Sequence, residues 1–505
     1  MTTLTRNRLD GRHPVRNHPL IKVLVNVVVL FAFIFPIYLF VKSTGSHPPG
    51  RSDPPGVTNV ADMPIPAYAN AIPVLTYHDI TNRPARTGVT PQRFAEQMAA
   101  LHQAGFHAIT VKQLFAFYHG AKLPDRPILI TFDDGLGSTW RIADPIMEKY
   151  QLRGTIFVIS GEIGKHGYYY LHPRELRSMV RSDRWDIEAH TDMAHQYVQT
   201  DKLGHEGPVL ANREWMPGVQ RLESIQDYTS RIVSDINRNV ATLRSYGAHP
   251  QVFAFPFSAI GVPSNDPRVV GILDRIIARR FPISFVDSDH GARFTTRSDF
   301  ADRQQLPRLE VYRDTTAHTL LSRIRSLAPT PSDMNGFPES QWLSEGGDHN
   351  TSSSLVRHGK LTLVHPNAHW YATYWNPAQT QLWKHYQIDV NVSGLSQESK
   401  KGNAAVLLVG SAGARGYAIA ISAGRLQIKP QRGRHPLAYV HLPSDADSHH
   451  VTAKLSNQLS VTVDGKLVTT LRVDPKTHGG LGFGTWQPVL QGSGPVFDGL
   501  RVRPI

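Results

Sequence analysis

Two adjacent carboxylates and a pair of histidines are the residues of this sequence best suited to carry out chemistry. Asp133 and Asp134 stand in TFDDG, directly after an apolar run that predicts a buried strand. Adjacent side chains diverge at a strand end, so one carboxylate can bind a cation while the other remains free as a base. His190 and His195 follow another predicted strand, in HTDMAH. Two His and one Asp with an open position is the composition of a hydrolytic zinc-type site.

Each of these segments also has an explanation without chemistry. Asp-Asp-Gly by itself is more often a helix N-cap or a solvated turn. With 25 histidines in the chain, a pair at this spacing is expected by chance. Two further strand ends carry candidates, namely His78 in LTYHD and the Phe255, Pro256 and Phe257 run of FAFPF, whose rings and backbone can line a pocket. Taken separately, these two segments are explained as well by a core strand or a satisfied surface histidine.

The composition narrows the chemistry further. The chain has 505 residues and no Cys, which excludes disulfides, a thiol nucleophile, Cys-ligated zinc and iron–sulfur clusters. Any metal site must therefore use His and carboxylates. No G-x-S-x-G elbow and no Walker A loop is present. The net charge is +13, but no dense Lys/Arg block with interleaved aromatics occurs, so we expect no nucleic-acid partner. Attraction to an acidic cell-surface polymer explains the charge equally well.

The N-terminus predicts a membrane anchor. Residues 23–41 (VLVNVVVLFAFIFPIYLFV) form an uncharged run long enough for one transmembrane helix. The basic residues of 1–22 precede it and predict a cytoplasmic tail, with the bulk of the chain extracytoplasmic, periplasmic or at the cell surface. A cleaved signal peptide is the alternative, although the run is long and lacks a clear cleavage site. Residues 42–70 are rich in Pro, Gly and Ser and predict a linker.

The elements that must position these residues fall into two regions. From 71 to 330, apolar strand patterns alternate with helical ones, which predicts an α/β domain. Its predicted elements are strands at 72–77, 107–111, 127–132, 154–160, 185–190, 251–257 and 283–287, and helices at 91–105, 224–247 and 267–280. From 340 to 505, alternation with period two dominates, and Asp464-Gly465 predicts a hairpin. This pattern predicts an all-β antiparallel sandwich.

In this order, the motifs resemble those of the polysaccharide deacetylases of carbohydrate esterase family 4, with their NodB-homology domain. They are most similar to the branch that contains the poly-N-acetylglucosamine de-N-acetylases. TFDDG (131–135) matches the first motif, and HTDMAH (190–195) matches the second in the five-apart spacing of that branch. LTYHD (75–79) matches the strand that replaces the usual C-terminal catalytic His segment. The resemblance covers residues 72–325, with support from LPRLEV (306–311), and implies a distorted (β/α) barrel.

The resemblance also implies roles for individual residues. Asp134, His190 and His195 would hold a divalent metal, zinc first and nickel, cobalt or iron as alternatives. Asp133 would be the base that activates water, and His78 the acid that protonates the leaving amine.

Two departures from the family pattern concern the third motif. Phe257 and Ser258 stand where Tyr-Gly is usual, and no Arg is evident there. Because a backbone N–H makes the oxyanion contact and Phe257 retains it, we expect activity to survive.

The C-terminal region resembles the concanavalin-like or laminin-G-like sandwiches. Aromatic residues gather at its start: Trp370, Tyr371, Tyr374, Trp375, Trp383 and Tyr386. Stacking on sugar rings is one use for them and core packing is another. We therefore expect a carbohydrate-binding domain, with a structural role or docking to a partner protein as alternatives.

Together these features predict a membrane-anchored, metal-dependent enzyme that removes N-acetyl groups from an N-acetylhexosamine-containing cell-surface or exported polysaccharide. Its expected partners are that polysaccharide, the membrane and exopolysaccharide synthesis or export proteins. Two alternatives remain: an O-deacetylase of an acetylated glycan, and a non-catalytic glycan-binding protein on a deacetylase scaffold.

Overall fold

The computed structural model describes residue 65, residues 68–287 and, with gaps, residues 293–505. The gaps are 298, 300–304, 339–341, 346–352, 365–369, 396–402, 411–415, 432–434, 443–445, 476 and 487–493. The predicted anchor at 23–41 lies outside the described residues. None of the helices in the described part is long and apolar enough to cross a membrane.

The N-terminal region alternates strands and helices. Its strands are β1 (Ala71–Ile72), β2 (Val74–Tyr77), β3 (His107–Ala108), β4 (Pro127–Phe132), β5 (Gly154–Ile159), β6 (Trp185–Thr191), β7 (Tyr197–Gln199), β8 (Glu206–Pro208), β9 (Trp215–Met216), β10 (Arg221–Leu222), β11 (Val252–Ala254), β12 (Ile283–Asp287), β13 (Thr295–Thr296) and β14 (Gln305–Glu310). Its α-helices are α1 (Pro91–Gln103), α2 (Val111–Tyr118), α3 (Asp144–Lys149), α4 (Pro173–Arg181), α5 (Ile225–Ser245), α6 (Arg268–Arg280) and α7 (Ala317–Leu327).

Seven of these strands close a parallel barrel. The order is β2-β14-β12-β11-β6-β5-β4, and β4 pairs back to β2. Strand β3 adds to the outside of β4. Barrel strands are covered on both faces, which explains why PILITF is apolar throughout and buried at every position. The expected α/β barrel is therefore confirmed.

Two predicted strands are shorter than the sequence pattern suggested. HAITV forms a strand only at His107–Ala108, because Thr110 caps helix α2 and makes a capping box with Gln113. QVFAFPF forms a strand only at Val252–Ala254, and a short 3₁₀ turn follows at Pro256–Ser258.

The C-terminal region is built from antiparallel strands. They are β15 (Met334–Asn335), β16 (Trp342–Glu345), β17 (Ser353–Arg357), β18 (Lys360–Val364), β19 (Trp370–Trp375), β20 (Tyr386–Ser393), β21 (Ala404–Val409), β22 (Tyr417–Ser422), β23 (Arg425–Pro430), β24 (Ala438–His441), β25 (His449–Leu455), β26 (Gln458–Val463), β27 (Lys466–Arg472), β28 (Leu481–Trp486) and β29 (Val496–Pro504), with one short helix, α8 (Pro377–Thr380). The predicted hairpin joins β26 to β27, with Asp464 and Gly465 at positive φ.

These strands form two sheets around one core. The first sheet has the order β17-β18-β29-β20-β25-β26-β27, with β15 paired to β29, and the second has the order β16-β19-β28-β21-β22-β23-β24. Side chains of both sheets share one hydrophobic cluster, as expected for face-to-face packing. The cluster includes Tyr371, Trp375, Trp383 and Tyr386. Four of the six aromatics noted in the sequence therefore serve core packing.

Candidate functional site

The turn after β4 separates the two adjacent carboxylates. The backbone leaves the strand at Asp133, and Asp134 and Gly135 then take positive φ values of 70° and 73°. A Cβ at Gly135 would lie 2.9 Å from a methyl carbon of Val158, so only glycine fits this turn. The reversal directs Asp133 and Asp134 to different neighbours.

Asp133 pairs with a buried arginine from a distant strand. Both carboxylate oxygens accept hydrogen bonds of 2.7 Å from Arg308, which lies on β14 and whose side chain is 0% exposed. The same guanidinium contacts Asp287, at the end of β12, at 3.1 Å. Burial by itself raises the pKa of Asp133, but Arg308 and the nearby His190 and His78 hold it below its usual value. Asp133 is therefore a carboxylate at neutral pH.

Asp134 faces the two histidines of HTDMAH. Its Oδ1 lies 3.6 Å from Nε2 of His190 and 3.2 Å from Nε2 of His195. One ligand atom from each of the three residues lies within 4.8 Å of the others. Two ligands of a tetrahedral ion at about 2.0–2.2 Å would stand roughly 3.3–3.6 Å apart, so the observed separations suit one small divalent ion.

The donor chemistry of this cluster also calls for a cation. Nδ1 of His190 lies 2.8 Å from the carbonyl oxygen of Ala254 and donates to it, which leaves Nε2 facing Asp134. Burial raises the pKa of Asp134, and its contacts with His190 and His195 bring it well below the usual value. A carboxylate and a ring nitrogen at these distances share either a proton or a metal ion, and one metal ion bound by all three residues would satisfy both contacts at once.

Helix α5 holds the loop between the two histidines. The carboxylate of Asp235 accepts hydrogen bonds from the backbone N–H groups of Asp192 and Met193, at 2.9 and 2.7 Å. One turn further along the helix, the amide of Asn239 donates to the carbonyl oxygens of Thr191 and Val158. The five-residue spacing of the histidines is thus set by contacts from a helix that begins 30 residues after His195.

His78 stands at the same end of the barrel. It follows β2, its Nδ1 is buried, and among the described residues that nitrogen has no hydrogen-bond partner. The residue before it, Tyr77, pairs with Phe132, the residue before Asp133, so His78 and Asp133 follow neighbouring strands at the same level. The charge of His78 also contributes to the lowered pKa of Asp133 and of Asp134. The geometry therefore brings together all five polar residues that the sequence singled out.

The three residues of FAFPF separate into different environments. The side chain of Phe255 is 1% exposed and packs against Phe253 in the core. Pro256 is buried as well. Phe257 is 45% exposed and its ring lies 4.4 Å from the ring of His195, centre to centre. Phe257 alone of these side chains is available at the site.

Residues 120–267 match the family model for polysaccharide deacetylase. The chain carries a polysaccharide deacetylase domain. Two curated relatives have the same description, poly-beta-1,6-N-acetyl-D-glucosamine N-deacetylase. The one from Escherichia coli K12 is 24% identical over 231 residues, which are 42% of this chain and 34% of the relative. The one from Staphylococcus aureus MSSA476 is 28% identical over 117 residues, 23% of this chain and 40% of the relative.

The chain thus spans between a third and two fifths of the length of these relatives. Among solved structures, a de-N-acetylase from Aggregatibacter actinomycetemcomitans is 18% identical and covers 50% of this chain and 99% of its own, with a TM-score of 0.43.

Three partly exposed aromatic side chains belong to segments beside the cluster of Asp134, His190 and His195. Tyr197 lies next to Phe257, with ring centres 4.9 Å apart. The backbone carbonyl of Tyr169 accepts a hydrogen bond from Gly137, in the loop after the two aspartates. Burial raises the pKa of Tyr169, and the charges of Asp79 and Asp134 raise it further. Sequence reasoning missed these tyrosines because each stands outside a motif.

Arg308 is the main functional residue of the deacetylase domain that the sequence did not reveal. No Arg was evident in the third motif, and the structure supplies one from β14, within LPRLEV. The available signal was weak: an arginine in the middle of an apolar run, where a charge must find a buried partner. Asp287, the last residue of a predicted strand, is its second partner.

Replacing Arg308 should change both the stability of the protein and the pKa of Asp133. Arg308→Met leaves the buried carboxylate of Asp133 and the partly buried one of Asp287 without their cation, and we expect a loss of stability of about 3–5 kcal/mol. It also removes the charge that lowers the pKa of Asp133, so that pKa rises. Since the base acts ionised, the acid limb of the pH–rate profile should move to higher pH. Arg308→Lys, which keeps the charge, is the control with the smaller shift. An unchanged acid limb in Arg308→Met would show that Asp133 is not the titrating base.

Proposed function

We propose that this protein is a metal-dependent hydrolase that removes N-acetyl groups from an N-acetylhexosamine-containing polysaccharide. One observation carries the proposal: two neighbouring carboxylates have separate environments. Asp134 faces His190 and His195, whereas Asp133 is held by Arg308. Hydrolysis of an unactivated amide needs this division, because the group that takes the proton must not also be a metal ligand.

The residues Asp134, His190 and His195 would hold the metal, with zinc as the first expectation and nickel, cobalt or iron as alternatives. When bound, such a cation polarises the acetyl carbonyl and lowers the pKa of water in the site. The bidentate contact from Arg308 orients Asp133 and keeps it ionised, so it is ready to accept a proton.

The remaining residues take the other steps of amide hydrolysis. Asp133 takes a proton from the water as its oxygen adds to the acetyl carbon. The backbone N–H of Phe257 donates to the oxyanion that develops. His78 gives a proton to the nitrogen as the C–N bond breaks, so acetate and a free amine leave. The buried, unpaired Nδ1 of His78 and its closeness to both carboxylates support this role.

The polysaccharide substrate is inferred from the deacetylase domain and from the described activity of the relatives. The rings of Phe257, Tyr197 and Tyr169 are all partly exposed and offer apolar faces for a sugar. Exposed rings beside the cluster suit a pyranose unit, whose C–H face stacks on an aromatic ring.

Acetate release is the direct test. The purified full chain, given N-acetylated and O-acetylated glycans of matched length, should release acetate faster from the N-acetylated substrates. A chelator should abolish the release, and added zinc should restore it. Faster release from O-acetylated xylan would instead support the O-deacetylase alternative. Absence of release from every substrate, with metal bound, would support a non-catalytic glycan-binding protein.

We also propose that residues 23–41 anchor the chain in a membrane with the deacetylase domain outside the cytoplasm. The support is the uncharged run and its basic N-terminal flank. In that location the enzyme would meet an exported polymer and the proteins that synthesise or export it. Carbonate-resistant membrane association of the full chain, lost when residues 1–41 are removed, would support the anchor. A mature chain shortened near residue 46 would instead support a cleaved signal peptide.

A further inference from the structure

The second sheet of the C-terminal region carries a row of exposed side chains that begins with two tryptophans. Trp370 on β19 and Trp486 on β28 stand opposite each other, and Trp486 is also opposite Ala404 on β21. The indoles are 43% and 38% exposed. They lie on the outer face of the sheet, because their strand neighbours Tyr371 and Thr485 point inward.

Glycines allow one indole to lie against the sheet. A Cβ at Gly484 would stand 2.8 Å from the six-membered ring of Trp370, so an alanine here would push the ring away. Gly482, the next outward residue of β28, leaves the same room for Tyr374. An indole held this way exposes one broad apolar face to solvent. Such exposure is unfavourable in free energy, and it is typical of a binding site.

The row continues across the sheet with small and then basic residues. Ala405 on β21 pairs with Ile421 on β22, so the next positions outward along the strands, Ala404 and Ser422, stand side by side. Ser422 in turn pairs with Arg425 on β23. Arg425 is opposite His441 on β24. The distance from Trp486 to Arg425 is three strand spacings, about 14 Å. The row therefore has three parts: an apolar platform formed by the two indoles, a floor of the small residues Ala404 and Ser422, and a polar border formed by Arg425 and His441.

The charged side chains on this face of the second sheet are mostly basic. Strands β19, β21, β22, β23, β24 and β28 contain no Asp or Glu, whereas Arg425 and Lys429 point outward from β23. The edge strand β16 has one acidic residue, Glu345, opposite Ala372 and one row away from the tryptophans. A cationic ligand would therefore meet repulsion at the Arg425 end of the row.

We propose that this row binds the acetylated form of the polysaccharide and not the deacetylated product. A pyranose ring stacks its C–H face on an indole, and Ser422, Arg425 and His441 offer hydrogen-bond donors to hydroxyl and acetyl oxygens. A protein partner needs about 800 Å² of contact, which two half-exposed indoles do not supply. Each removed acetyl group leaves an amine that becomes cationic on protonation, and Arg425 and Lys429 then repel it.

This proposal rests on the proposed function for the identity of the polymer and assigns the C-terminal region a part in it. A site that holds unreacted chain raises the local concentration of acetyl groups around the deacetylase domain of the same molecule. Finished segments are released because they lose affinity. The enzyme would thereby remain on substrate instead of being held by its own product.

The test measures binding without turnover. The full chain carrying Asp133→Asn is run in native gels that contain glycol chitin or its deacetylated counterpart, glycol chitosan, at mildly acidic pH. Glycol chitin should retard the protein more than glycol chitosan does. Trp370→Ala and Trp486→Ala should each weaken the retardation by about tenfold in apparent dissociation constant. Leu467→Ala, an exposed apolar residue on the other sheet, is the matched control and should not change it.

Several results would overturn the proposal. They are equal retardation by the two polymers, stronger retardation by glycol chitosan, or full retardation of both tryptophan variants. If thermal melting shows that the tryptophan variants are unfolded, Ser422→Arg is the deciding variant. It keeps both indoles and places a long side chain on the floor of the row, where it should obstruct a bound sugar chain. Wild-type binding by folded Ser422→Arg would contradict the site. Because no step of this assay needs acetate release, a failure of the proposed activity leaves its result unaffected.

Discussion

Asp133→Asn should keep its metal and lose most of its turnover. The amide cannot accept the proton that the carboxylate takes, and removal of a positioned general base costs about 10²- to 10⁴-fold in rate. The proposed metal ligands are untouched, because Asp133 contacts Arg308 and the cluster is formed by Asp134, His190 and His195. Metal content by mass spectrometry and acetate release on the same preparation provide the measurement.

Asp464→Asn is the control for this change. It makes the same substitution in the hairpin between β26 and β27, where Asp464 contacts His449, and should alter neither quantity. Near-wild-type turnover of Asp133→Asn would assign the base to another residue. Loss of metal in parallel with activity would make Asp133 a ligand.

His190→Ala should lose both metal and activity. His190 is buried at the end of β6, and its Nδ1 is held by the carbonyl oxygen of Ala254, which fixes Nε2 toward Asp134. Two remaining ligands do not form a closed site for a small divalent ion. We expect less than one tenth of the wild-type metal content after dialysis and a rate below the detection limit of acetate release.

His205→Ala is the matched control, since His205 also contacts a carboxylate, that of Asp201, but at an exposed position of the same domain. It should bind metal as the wild type does. If His190→Ala retained full metal content, the assignment of Asp134, His190 and His195 as the ligand set would be wrong. If it bound metal normally and lost activity alone, His190 would act on the substrate.

The sequence was informative wherever a local pattern has a local physical cause. A run of apolar residues six long, such as PILITF, must be buried on both faces, and it is a barrel strand. Period-two alternation likewise predicted the antiparallel strands of the C-terminal region, among them β22 and β26. The clustering of Asp134, His190 and His195 followed from their places just after parallel strands, whose carboxyl ends meet at one end of the barrel.

Contacts between distant strands were outside the reach of such patterns. Arg308 meets Asp133 across 175 residues because β14 inserts between β2 and β12 when the barrel closes. The sequence of β14 by itself shows an arginine without a partner. The helix at 224–247 was predicted, but its contacts with the histidine loop, through Asp235 and Asn239, could not be identified for the same reason.

Which aromatic side chains are exposed was also decided only in three dimensions. Phe255 and Phe257 differ by two positions, and a continued strand would place them on the same face. The chain instead turns at Pro256, so Phe255 enters the core and Phe257 reaches His195. Similarly, Trp370 and Trp486 are 116 positions apart and became one surface through the pairing of β19 with β28. Sequence thus determined the elements and the residue types at their ends, because these depend on neighbours along the chain, whereas pairing across the sheets decided which of those ends share a site.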